Sequence, residues 1–297
     1  MPNLIRKGLC VLLIAAPCSA QNPFIREGSI GQSKPKQKQE EGLATLEIHE
    51  WVGQKFIFLP KSKETQEYGY QSFKPRLPYD KWVGKTVTVL EVRPSTGFAE
   101  VSFRTADGKA IKAQAFGHTI HGIAPMRDLE YARSNWLGKT LWIRRNNMAT
   151  WDESTGKFGT VKFKKYSPLT VEDVVAGWYE HAPVRLILKT KQGETGFDDV
   201  SVSGTNIGER LRQMDTFSKN FLEQDPRLDK DWPPEIWSKI EDGKVAIGMT
   251  AEQSRMSWGD PQSINRTVTA HGADEQWVYR NNSYLYMKDG KVTAMQN

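Results

Sequence analysis

Cysteine is almost missing from this chain: of its 297 residues only Cys10 and Cys18 are cysteine. Both fall in an opening segment where Arg6-Lys7 precede an apolar run from Gly8 to Ala16, and Pro17-Cys18-Ser19-Ala20 closes the run with small residues before Gln21. That pattern predicts a secretory signal peptide over residues 1–20. Cleavage after Ala20 leaves no thiol, which excludes disulfides and cysteine-ligated metals from the mature chain. The alternative outcome is a lipid anchor at Cys18, for which Ala15-Ala16-Pro17-Cys18 supplies a partial lipobox. Long hydrophobic runs are missing as well. The leader's run is short for a bilayer span, and no later segment approaches the ~20 apolar residues that a crossing helix needs. The expectation is an exported chain without a transmembrane segment once mature, in the periplasm, at the outer-membrane periphery or secreted.

Several chemistries lack their sequence elements. No Gly-x-x-x-x-Gly-Lys-Ser/Thr loop and no Gly-x-Gly-x-x-Gly run opening a helix is present, so no nucleotide and no other cofactor is expected. No Gly-x-Ser-x-Gly elbow accompanies the serines. Histidine is scarce, five in all, and the closest approach to a metal motif is His118-Thr119-Ile120-His121. It lacks the glutamate that activates water in His-Glu-x-x-His, and its Gly117, Gly122 and Pro125 flanks point to a loop rather than a helix. A metal-dependent hydrolase using His118 and His121 is therefore the lesser alternative, and no metal is expected. The adjacent carboxylates Glu40-Glu41 and Asp198-Asp199 are expected on solvated turns. The formal net charge of +6 falls to +4 when Arg6 and Lys7 leave with the leader, which is modest for this length. Lys162, Lys164 and Lys165, interleaved with Phe163 and Tyr166, read as a polar strand face. Nucleic acid is not an expected partner for an exported chain.

What the chain does have is organised in blocks. Residues 21–44 read as a disordered tether, because Ser33 to Glu41 offers nothing apolar to bury. Residues 45–204 read as mainly β. Ala99, Val101 and Phe103 alternate with Glu100, Ser102 and Arg104, Asp107-Gly108 turns the chain, and Phe158 to Tyr166 and Val184 to Thr190 alternate in the same way. Three copies of one short pattern, Trp51-Val52-Gly53, Trp82-Val83-Gly84 and Trp136-Leu137-Gly138, each precede a predicted strand, with glycine suited to the turn and tryptophan to a core anchor. Such starts resemble bacterial SH3-like small barrels, which implies peptide or cell-wall recognition; a plain β sandwich leaves the same trace. Ile207, Leu211, Met214, Phe217 and Phe221 recur at helical spacing and predict a linking helix within 205–231.

Residues 232–297 predict a compact α+β module of two helices and an antiparallel four-stranded meander. Pro233-Pro234 opens a helix that Gly243 stops, and Thr250 with Gln253 forms a capping box for a second helix ending at Gly259. Four β-branched or aromatic runs follow, with Asp289-Gly290 as a hairpin turn. Ile247-Gly248-Met249-Thr250-Ala251-Glu252-Gln253, Trp258-Gly259-Asp260-Pro261 and Gln276-Trp277-Val278-Tyr279 resemble the small outer-membrane-assembly lipoproteins of the BamE (SmpA/OmlA) type, in the class of β-lactamase-inhibitor-like modules. The resemblance implies a binding scaffold without a catalytic centre. The loop after the second helix sets polar groups beside tryptophan, so Trp258, Asp260, Asn265 and Arg266 are the candidate partner-binding cluster. The functional expectation is a non-enzymatic exported envelope protein that binds another protein or an envelope polymer, in one reading as an accessory to outer-membrane assembly.

Overall fold

The computed structural model describes residues 43–269 and 272–296. The leader, both cysteines and nearly all of the tether lie outside the described residues. Six strands make the first sheet: β1 (Lys55–Phe58), β2 (Phe73–Lys74), β3 (Thr86–Ser95), β4 (Phe98–Thr105), β5 (Ala110–Ala115) and β6 (Ile123–Pro125), in the order β2-β5-β4-β3-β1-β6. Short helices α1 (Lys63–Gln66) and α2 (Tyr79–Trp82) interrupt them, and α3 (Met126–Trp136) follows. Alternation works as the sequence predicts. Val101 and Phe103 of β4 are buried with Phe56, Phe58 and Phe73 in the first core. Each such side chain contributes about 1.5–3 kcal/mol on leaving water.

The three Trp-aliphatic-Gly copies adopt one geometry. Each tryptophan is the last residue of a helical turn, namely Ile48–Trp51, α2 and α3. The next residue has φ/ψ of −54/127° at Val52, −52/132° at Val83 and −57/129° at Leu137, and the glycine has φ of 83°, 74° and 75°. These are type II turns, closed by N–H groups of Gln54, Lys85 and Lys139 donating to the tryptophan carbonyls at 2.8, 3.0 and 3.0 Å. The glycine N–H then hooks onto a neighbouring chain, donating to Val89, Phe58 and Val171 carbonyls at 2.9 Å each. A strand follows every time.

The second sheet holds β7 (Thr140–Ile143), β8 (Asn147–Asp152), β9 (Lys157–Lys162), β10 (Pro168–Tyr179), β11 (Ala182–Lys189), β12 (Thr195–Val200) and β13 (Phe221–Leu222). Its order is β13-β7-β10-β11-β12-β8-β9, so the β8–β9 hairpin is carried across to lie beside β12. Residues 205–231 do not form the predicted linking helix. They run through turns into one helical turn, α4 (Phe217–Asn220), and β13. Asn206 adopts a left-handed φ of 63° and its side chain is committed to the first sheet, which breaks a helix at its start. Phe217 and Phe221 turn inward instead. Phe217 stacks flat on Trp136 at 3.7 Å, and both enter the second core, while Leu211 and Met214 stay exposed.

The last block contains α5 (Pro234–Glu241), α6 (Ala251–Trp258) and a sequential antiparallel sheet of β14 (Ser263–Thr269), β15 (Gly272–Val278), β16 (Tyr284–Lys288) and β17 (Lys291–Gln296). The capping box at Thr250 and Gln253 is made in both directions, at 2.8 and 3.2 Å. Asp289 and Gly290 have φ of 48° and 76°, the pair of positive values that a type I′ hairpin requires. Trp277, Leu285, Ile240 and Met249 fill the third core, and Tyr166, from the β9–β10 connection, joins them. Lys165, expected on a polar strand face, is likewise drawn inward. It donates to the Met256 carbonyl at 3.0 Å and to that of Ser257, capping the C-terminus of α6 with a cation. All three cores belong to one compact unit.

Candidate cleft on the middle sheet

A dense assembly of rings and paired charges lies on the second sheet. Along β11, Val184, Leu186 and Leu188 face the second core, so Arg185 points to the other face. Register sets Asp199 of β12 opposite it. The two form a fork, Nε to Oδ1 at 2.7 Å and Nη2 to Oδ2 at 2.8 Å. The guanidinium lies 3.8 Å from the Phe197 ring centre and 4.7 Å from that of Trp178. Arg185 is only 7% exposed. Trp178 in turn meets Trp151 and Phe158 edge-on at 4.9 and 5.5 Å, so rings from β8, β9, β10 and β12 surround one ion pair.

Beside this assembly opens a cleft of about 390 Å³, lined among others by Arg145, Phe158, Tyr179, His181, Phe197 and Asp198. Asp198, the next residue of β12, pairs in register with Leu186 and so lies on the side of the strand opposite the fork. Burial pushes its carboxyl up to about 6, against the pull of the paired Arg145. His181, stacked on Tyr179, lies 3.7 Å from Asp215. Two arginines and a histidine thus lie beside three carboxylates. The adjacent Asp198-Asp199 pair, expected on a solvated turn, sits in a central strand with each carboxylate paired to an arginine. The hydroxyl-bearing side chains of the lining are Thr160 and Tyr179.

The residues singled out from sequence fall elsewhere and do not converge. Trp258 donates from Nε1 to the Gly243 carbonyl at 3.1 Å, meets Tyr279 edge-on at 5.3 Å and packs on the third core. Asp260, with its side chain 86% exposed, pairs with Arg255 at 3.2 Å. Asn265 donates to Gln276 at 3.1 Å, while Arg266 approaches Glu275 at 3.4 Å. Neighbouring strand residues point to opposite faces, so Asn265 and Arg266 are separated by the sheet itself. His118, with φ of 64°, and His121 are exposed loop residues. His121 lies 3.8 Å from Glu180, whose carboxylate also accepts the Gly122 N–H at 2.6 Å. Among the described residues no group of three or more His, Cys, Asp or Glu side chains converges as a metal site. No helix among the described residues is long and apolar enough to cross a membrane. No family model matches the chain, and comparison with curated proteins and with solved structures finds no match.

Sequence reasoning passed over Arg185, Trp178 and Phe197. The one local signal is that Arg185 interrupts an otherwise apolar strand, Val184 to Leu188, next to a run with two aspartates.

Proposed function

We propose that the protein is a non-enzymatic binding module of the cell envelope, exported by its leader, and that the cleft on the middle sheet holds its ligand. The observation that carries this reading is the Arg185–Asp199 fork clamped between Trp178 and Phe197 beside an open cleft. A buried ion pair rarely adds net stability over apolar residues of the same volume. Rings and arginine are, however, the groups that binding surfaces use as anchors. Held rigid by its neighbours, this pair costs little further ordering when a ligand arrives. The three shared turn-and-strand starts support the SH3-like reading, with a cell-wall polymer or peptide as ligand. The two capped helices over a meander support the BamE-type reading, with an outer-membrane-assembly partner.

The test is photocrosslinking in envelope material of the source organism, with benzoylphenylalanine in place of Phe158 in one protein and at position 260 or 265 in others. The expected adduct comes from position 158 and is lost in the Arg185→Met/Asp199→Leu double variant. That variant is expected to stay folded. Arg185→Met alone strands a buried carboxylate and is expected to cost about 3–5 kcal/mol. Adducts from 260 or 265 only would move the recognition surface to the C-terminal sheet and end the cleft reading.

A further inference from the structure

The cleft is rich in charge, and neither of its arginines is free. Arg185 spends two N–H groups on Asp199 and is covered by rings, Arg145 faces Asp198, and His181 faces Asp215. An anionic ligand entering here would lose its hydration and find both guanidinium groups engaged, an arrangement that disfavours anions. Hydrogen-bonding capacity remains. A carboxylate has about four acceptor directions, and the fork uses two of those on Asp199. These directions suit O–H donors. Ring surface is also on offer, because Phe158 is 56% and Tyr179 49% exposed at the cleft. The ligand these walls fit has apolar C–H faces to lie on rings, hydroxyl edges to donate to carboxylates, and no anionic group. A pyranose ring has all three properties. The volume, about 390 Å³, falls within the ~300–1,000 Å³ of small-ligand sites.

We infer that the cleft takes a short stretch of an uncharged saccharide chain, an inference that rests on the cleft being the recognition site. The test is calorimetric titration of the full mature chain with chitohexaose, cellohexaose and maltohexaose, beside polygalacturonate as the anionic comparison. At least one neutral probe is expected to bind, with an affinity nearly unchanged between low salt and about 1 M salt, since no ion pair forms across the interface. Phe158→Ala removes an exposed ring without opening the core and is expected to weaken binding roughly tenfold or more. Failure of all three neutral probes overturns the inference. If polygalacturonate binds instead, and Phe158→Ala abolishes it, the ligand class is wrong while the cleft stands as a recognition site. Silence in both this titration and the crosslinking at position 158 removes the two proposals together.

Discussion

Asn206 ties the segment after β12 to the stretch from Ile120 to Ile123 at the start of β6 through three hydrogen bonds, and removing its side chain tests how much that junction holds. Its Oδ1 accepts the Ile120 N–H at 2.7 Å, and its Nδ2 donates to the carbonyls of Ile120 at 3.0 Å and Ile123 at 2.8 Å. All three residues are buried. Asn206→Ala leaves one buried donor and two buried acceptors without partners. The donor costs about 1–3 kcal/mol, and the carbonyls less, because each keeps a second lone pair. Alanine at the left-handed φ of 63° adds about 1 kcal/mol. The expected loss is about 4 kcal/mol, which for a unit of this size lowers Tm by roughly 8–16 °C. Asn206→Gly loses the same bonds without the backbone strain, so it should melt a few degrees above the alanine variant. Asn206→Asp keeps the acceptor but turns a negative oxygen on two carbonyls, and should be the least stable of the three. Circular-dichroism melts and urea midpoints measure the series. An alanine variant within about 1 kcal/mol of the parent would show that the junction carries no load, and alanine above glycine would refute the backbone part.

Burial pushes the carboxyl of Asp128 up to about 6, with hydrogen bonding from Ser203 opposing it. The folded state therefore holds that proton more tightly than the unfolded chain, so the group's stabilising share is complete below about pH 4 and is lost as pH rises through about 6. Asp198 titrates in the same window. The unfolding free energy from urea melts should fall between about pH 4.5 and 7.5 by up to about 3 kcal/mol per group, and Asp128→Asn should flatten part of that slope; an unchanged slope counts against it. The three type II turns supply a separate comparison. A Cβ built on Gly53, Gly84 or Gly138 meets nothing within 4 Å, so alanine at each pays only for its positive φ. The three losses should be alike, about 1 kcal/mol each by chemical denaturation; one several times larger than the others would break the equivalence of the repeats.

Features whose bonding partners lie within a few residues were legible in the chain. The Thr250–Gln253 box, the Asp289-Gly290 hairpin and the Trp-aliphatic-Gly turns each close their own hydrogen bonds, or demand a positive φ that glycine supplies, whatever surrounds them. Alternation along β4 was legible for the same reason, since period two is a property of the strand alone. The helical spacing of Ile207, Leu211, Met214, Phe217 and Phe221 was present but without force. A helix there would have had to give up the Asn206 junction and the Trp136–Phe217 stack, both made to residues more than 80 positions away or across a sheet. Lys165 and Tyr166 belong to a strand pattern on paper and to the end of α6 in space, because the third core had a gap for one ring and two free carbonyls to receive a cation. The candidate cleft depended on tertiary structure most of all. Arg185 lies 14 residues from Asp199, and the rings around them come from four strands that meet only because the β8–β9 hairpin crosses to the edge of β12. Each strand dictates which of its side chains share a face, but the order of strands in the sheet decides which faces become neighbours, and that order is settled by burial of the whole core rather than by any one segment.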